Sequence, residues 1–204
     1  MNNLFDIRGK VALVTGGSRG IGEMIAAGFL ANGVKVYISS RKAEVCNATA
    51  ARLMEQFGGE CISLPANLAE VTGCQQLADE LAARESQLDI LINNAGVSWG
   101  APIDDFPESG WDKVMDTNVK GVFFLTQKLL PLLRQSGSAE DPARVVNVGS
   151  IDGLKNPVFE TFSYGPSKAA LHHLTRGLAL HLTRQHIIVN AIAPGPFPTW
   201  MLST

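Results

Sequence analysis

A chain of 204 residues suits one domain with a large core, and 46% hydrophobic against 18% charged residues excludes a disordered polypeptide. The formal net charge of -2 gives no electrostatic attraction to nucleic acid or to an anionic membrane surface. No stretch approaches the roughly 18 uninterrupted apolar residues of a membrane span, and the N-terminus lacks an apolar signal core, so a cytoplasmic protein is expected.

In chain order, "KVALVT" (Lys10 to Thr15) reads as a buried parallel strand and enters the glycine-rich stretch "TGGSRGIG". Ile21, Met24, Ile25, Phe29 and Leu30 follow with helical spacing, which predicts a helix over 21–32. Helix N-termini carry unpaired N–H groups and partial positive charge, and glycine lets a phosphate approach the backbone. The spacing Gly16-x-x-x-Gly20-x-Gly22 is wider than the usual dinucleotide fingerprint, so the stretch alone fits either a phosphate cradle or a simple turn.

Strand and helix signals then alternate. "VKVYIS" from Val34 precedes a helix over 42–57, and "ECISLPA" ends at Ala66 before a helix over 70–85. "LDILIN" (Leu88 to Asn93) precedes a long helical region over 108–135; "ARVVNVGS" runs to Ser150, a helix covers 163–184, and "HIIVNAIAP" ends at Pro194. Six strands alternating with helices predict an α/β, doubly wound parallel sheet in the order 3-2-1-4-5-6, within a single domain over 1–204. Only "RQSGSAEDPA" (Arg134 to Ala143) reads as a longer exposed connection. Ligands of such sheets bind beyond the carboxyl ends of the strands. Four of those ends are the glycine loop, "NNAG" (Asn93 to Gly96), Gly149-Ser150 and Pro194-Gly195.

On the last long helix, Tyr164 and Lys168 stand four positions apart and share a face. An ammonium beside a phenol lowers the phenol pKa, which makes the pair a candidate proton donor; Ser150, at the end of the adjacent strand, is placed to hydrogen-bond a substrate oxygen. Cys46, Cys61 and Cys74 form no C-x-x-C pair and suit reduced thiols. His172, His173 and His181 have no Cys or carboxylate at ligand spacing, so no metal site is expected.

"TGGSRGIG", "NNAG", Asn118, Ser150, "YGPSK" and "PGPFPT" occur in an order and at intervals that resemble the short-chain dehydrogenase/reductase family along the whole chain. The resemblance implies that Tyr164 is the general acid, that Lys168 holds the nicotinamide ribose, that Ser150 orients the carbonyl and that the Asn118 backbone carbonyl positions a relay water. It also implies a Rossmann fold with cofactor contacts at Gly16, Ser18, Arg19, Gly20, Ile21, Gly22, Arg41, Asn67, Leu68, Asn94, Ala95, Gly96, Tyr164, Lys168, Pro194, Gly195 and Thr199.

The second strand ends in Ser39, Ser40 and Arg41 with no acid to accept a ribose 2′-OH, and Arg19 lies in the glycine loop; both guanidinium groups favour NADP(H). Asn67 stands where the family commonly has an Asp at the adenine, and an amide keeps acceptor capacity. The chain ends at "PTWMLST", where family members usually continue through a seventh strand and a substrate lid. If Thr204 is the true end, the sixth strand is an exposed apolar edge, and association with weak ketone reduction is expected.

"SWGAP" (Ser98 to Pro102) and the segment from "LLPLLRQSG" to Ser150 look most like bacterial 3-oxoacyl reductases, including the branch associated with rhamnolipid synthesis. That implies a 3-oxoacyl substrate on acyl-carrier protein or coenzyme A, and a homo-oligomer. The opening segment is also similar to gluconate-type sugar dehydrogenases, and a catalytically silent dinucleotide-binding or subunit-interaction protein is the reading from another class. Trp99, Phe159, Phe162 and Trp200 fall near the expected rim, as an apolar groove or as ordinary packing.

Overall fold

The computed structural model describes residues 5–156 and 159–197. The strands are β1 (Val11–Thr15), β2 (Lys35–Ser39), β3 (Cys61–Ser63), β4 (Ile90–Asn93), β5 (Ala143–Val148) and β6 (Ile187–Ile192). They form one parallel sheet in the order β3-β2-β1-β4-β5-β6, as expected for the Rossmann arrangement. The order reverses between β1 and β4. Their carboxyl ends, Thr15 and Asn93, therefore open the crevice in which such sheets bind ligands.

The helices are α1 (Gly20–Ala31), α2 (Ala43–Phe57), α3 (Val71–Ala82), α4 (Glu108–Met115), α5 (Gly121–Ser136) and α6 (Tyr164–Leu182). Alternation of side chains along each strand sends Leu13, Leu91 and Val145 to one face, against Leu77, Leu125 and Leu129 of α3 and α5. Ala12, Val14, Ile90 and Ile92 turn to the other face, against Ala26, Leu30 and Leu53 of α1 and α2. The core is thus two apolar layers with the sheet between them, as a parallel sheet covered on both faces requires. Burying a leucine such as Leu13 or Leu91, both fully enclosed, contributes about 1.5–3 kcal/mol.

The helix expected over 108–135 divides in three. α4 passes into one π-helical turn, Asp116–Lys120, before α5 begins at Gly121. β4 starts at Ile90 rather than Leu88, and just ahead of it the Asp89 carboxylate accepts the Val11 N–H at 2.8 Å. β6 is a border strand of the described sheet. Ile187 and Val189 pack inward, whereas Ile188 and Ile192 are 40% and 44% exposed, so only one of its two apolar faces is covered. No described helix is long and apolar enough to cross a membrane.

Candidate active site

The glycine loop is built by close approach. Gly16 and Gly20 adopt φ of 65° and 58°, the left-handed region that side chains disfavour. A Cβ on Gly22 would collide with the Gly16 carbonyl and lie 2.5 Å from Asn94 Nδ2, and one on Gly17 would lie 2.7 Å from the Ile38 side chain. Gly17, which the motif spacing did not single out, is therefore as constrained as its neighbours. Arg19 occupies the N-cap of α1 in extended conformation and makes no side-chain cap to the first N–H groups of that helix. The Ser18 carbonyl accepts the Thr49 hydroxyl at 3.0 Å, which ties the loop to α2.

Thr15 joins this loop to the end of β4. Its hydroxyl accepts from the N–H groups of Asn94 and Ala95, each at 3.0 Å. The Asn94 amide donates to the carbonyls of Thr15 at 2.9 Å and Gly16 at 3.3 Å. Asn94 thus holds the two sides of the crevice together, and its amide hydrogens are committed to that task. A Cβ on Gly96 would lie 3.4 Å from both Asn118 Oδ1 and Lys168 Nζ, so the glycine keeps the approach to Lys168 open.

At the end of β2 the Ser39 and Ser40 hydroxyl oxygens are buried without a hydrogen-bond partner. Buried polar atoms are normally paired, and Arg41 follows immediately, exposed. Arg19 is exposed as well, and among the described residues neither guanidinium is held by a carboxylate; Glu23, nearby on α1, pairs instead with Arg52 at 2.7 Å. Unpaired hydroxyls and free guanidinium groups fit the ribose and 2′-phosphate of NADP(H). Asn67, expected at the adenine, lies just ahead of α3. Its amide donates to Glu70 at 2.8 Å, while the Leu68 side chain packs in the core.

Asn118 sits in the π turn and is fully buried. Its Oδ1 accepts the Val97 N–H at 2.9 Å, and its Nδ2 donates to the Val97 carbonyl at 2.9 Å and to Ser167 Oγ at 3.0 Å. The Asn118 side chain is thus committed to protein partners. The Ser167 hydroxyl donates to the Tyr164 carbonyl at 2.6 Å. Ser167 is a residue that the sequence reading missed, although its place inside "YGPSK" next to Lys168 was the available signal.

Tyr164 opens α6, and Lys168 follows one turn later with its Nζ 5.6 Å from the phenol ring centroid. The Lys168 ammonium donates to the Val148 carbonyl at 2.8 Å and is 4% exposed. Burial holds its pKa down to about 8. Burial also raises the Tyr164 phenol; the Ser150 hydroxyl beside it pulls the value back, and the Asp152 carboxylate pushes it further up. The expected lowering of the phenol by Lys168 is therefore corrected. Desolvation sets the direction, and the Lys168 ammonium donates to the Val148 carbonyl rather than to the phenol.

Ser150 is buried, has extended backbone and accepts the Asp152 N–H at 3.1 Å. The Pro194 carbonyl accepts the Ile151 N–H at 3.1 Å, so the exit of β6 meets the Ser150 loop; Gly195 is exposed. Thr199 and Trp200 lie outside the described residues. Trp99 packs over Gly110, where a Cβ would lie 2.7 Å from the indole, and under Lys113 Nζ at 4.9 Å. Phe162 meets Phe106 edge-to-face at 5.9 Å, while Phe159 is 72% exposed. Two of the aromatics are thus engaged in packing.

The family model for short chain dehydrogenases matches residues 10–204. The rhamnolipids biosynthesis 3-oxoacyl-[acyl-carrier-protein] reductase of Pseudomonas aeruginosa is 53% identical over 201 residues, which are 98% of this chain and 78% of that protein. Gluconate 5-dehydrogenase of Gluconobacter oxydans is 36% identical over 98% of this chain and 75% of its own length. The structure of Pseudomonas aeruginosa RhlG in its NADP active-site complex superposes with a TM-score of 0.95 at 52% identity, over 100% of this chain and 78% of that one. Likeness of this extent in sequence and fold, with the same motifs meeting at one rim, means that the chain belongs to the short-chain dehydrogenase family of oxidoreductases.

Proposed function

We propose that the protein is an NADPH-dependent carbonyl reductase whose substrate is a 3-oxoacyl chain carried as a thioester on acyl-carrier protein or coenzyme A. The observation that carries the reading is the meeting of Tyr164, Ser150 and Lys168 beside the glycine loop. The similarity to the Pseudomonas reductase supports the substrate class. The glycine loop and α1 N-terminus would hold the pyrophosphate, Ser40, Arg19 and Arg41 the 2′-phosphate end, and Lys168 the ribose beside the nicotinamide.

When bound, the reduced nicotinamide supplies the hydride. Ser150 Oγ and the Tyr164 hydroxyl bind the substrate carbonyl oxygen and orient it. As charge develops on that oxygen, Tyr164 releases its proton to it. A phenol kept protonated by burial is suited to donating; the Lys168 ammonium, 5.6 Å from the ring centroid, is the nearby positive charge that would offset the phenolate left behind. Asn118 holds Val97 and Ser167 and so fixes the helix start that carries Tyr164.

Consumption of NADPH with acetoacetyl-coenzyme A, set beside 5-keto-gluconate, tests the reading. Faster turnover of the thioester is expected. Preference for the keto sugar would favour the second reading, a sugar dehydrogenase, which the likeness to gluconate 5-dehydrogenase supports. NADPH binding without turnover of either would favour a silent binding protein.

A further inference from the structure

The loop that carries Ser150 is gripped from two sides. On one side the Gly149 N–H donates to the Ile192 carbonyl at 2.8 Å and the Ile151 N–H to the Pro194 carbonyl at 3.1 Å, so β6 holds the residues flanking Ser150. On the other side lies His172, whose Nε2 is 3.1 Å from the Ser150 carbonyl oxygen. A carbonyl only accepts, so Nε2 carries the hydrogen and donates it. His172 lies one turn beyond Lys168 and two beyond Tyr164, on the same face of α6.

Two glycines make room for this imidazole. A Cβ on Gly149 would lie 2.6 Å from His172 Nε2, and one on Gly153 would lie 2.9 Å from Cδ2. Neither glycine has a positive φ, so backbone freedom does not explain them. Gly149 is accounted for by the ring, and Gly153 by the ring together with the α6 backbone at Lys168 and Ala169, which a Cβ would meet at 2.6 and 2.8 Å.

We propose that His172 is a positioning residue of the reductase site. Its Nε2–H holds the Ser150 carbonyl and, through that backbone, keeps the Ser150 hydroxyl beside the Tyr164 phenol. The proposal rests on the reading above in which Ser150 and Tyr164 handle the substrate carbonyl. A ring serving only as filler would leave turnover indifferent to the hydrogen bond.

The test uses His172→Phe, which keeps a flat ring against the two glycines but cannot donate, and His172→Gln, which returns an N–H at similar reach. NADPH-dependent reduction of acetoacetyl-coenzyme A is measured alongside NADPH affinity. In His172→Phe, kcat should fall about 3- to 10-fold, the worth of one hydrogen bond, with NADPH Kd unchanged. His172→Gln should recover most of the loss. In a Ser150→Ala background, His172→Phe should cost nothing further, because the group it positions is gone. Wild-type kcat in His172→Phe, no recovery in His172→Gln, or an undiminished cost in the Ser150→Ala background would each overturn the proposal. Full turnover by Ser150→Ala alone would instead remove the underlying reading of the site.

Discussion

Lys168 Nζ donates to the Val148 carbonyl at 2.8 Å, which latches the helix that begins at Tyr164 to the strand that leads into Ser150. Tyr164 and Ser150, from different elements, are thereby held in one place. The latch places the Lys168 amino group in an almost completely buried position, and burial opposes its charged form.

This opposition has a pH signature. The Lys168 pKa is about 8 in the folded chain against an ordinary value of 10.5, so the unfolded chain binds more protons across that interval. The contribution of Lys168 to stability therefore rises with pH from about 8 to 10.5. Urea unfolding of the wild type and Lys168→Met over that interval should show the wild type gaining on the variant as pH rises. A constant difference between them would contradict the burial account.

The cofactor end of the crevice makes a second expectation. Arg41→Asp replaces the exposed guanidinium that follows Ser39 and Ser40 in sequence by a carboxylate, which would lose the pairing to a 2′-phosphate and repel its charge. NADPH affinity should fall about 10- to 100-fold, the worth of a charged hydrogen bond, while NADH affinity rises or holds. Fluorescence titration of both cofactors reads the outcome. Unchanged preference would remove Arg41 from the 2′-phosphate site.

The glycine loop makes a third. Gly22→Ala places a methyl group against the Gly16 carbonyl and Asn94 Nδ2, both parts of the backbone junction between β1 and β4. A loss of about 1–3 kcal/mol in stability is expected from the overpacking, together with weakened NADPH binding. Thermal melts and the same titration measure both. An Ala variant that melts and binds like the wild type would show that the loop yields easily.

The strand order, the glycine loop between strand and helix, and the pairing of Tyr164 with Lys168 were legible because each is local or follows from a chirality rule. The features that were not legible come from contacts between distant segments. A helical periodicity over 108–135 does not register the single extra residue of the π turn, which shows itself only when Asn118 meets Val97. Gly149 and Gly153 read as ordinary loop glycines until the His172 ring and the α6 backbone arrive from later in the chain. The direction of the Tyr164 pKa turned on burial, which the spacing of two residues does not contain. Asn67 and Leu68 were assigned to a cofactor by resemblance, and what the sequence did not reveal is that the amide binds Glu70 and the leucine fills the core.

The central claim is that the Tyr164 hydroxyl supplies the proton for ketone reduction at a site assembled with Ser150 and Lys168. Its most direct measurement is NADPH-dependent turnover of acetoacetyl-coenzyme A by the wild type and by Tyr164→Phe, with NADPH affinity determined for both. The account predicts a fall in kcat of about 10²- to 10⁴-fold, typical of lost general acid catalysis, at nearly unchanged NADPH affinity. Turnover by Tyr164→Phe close to that of the wild type would contradict it.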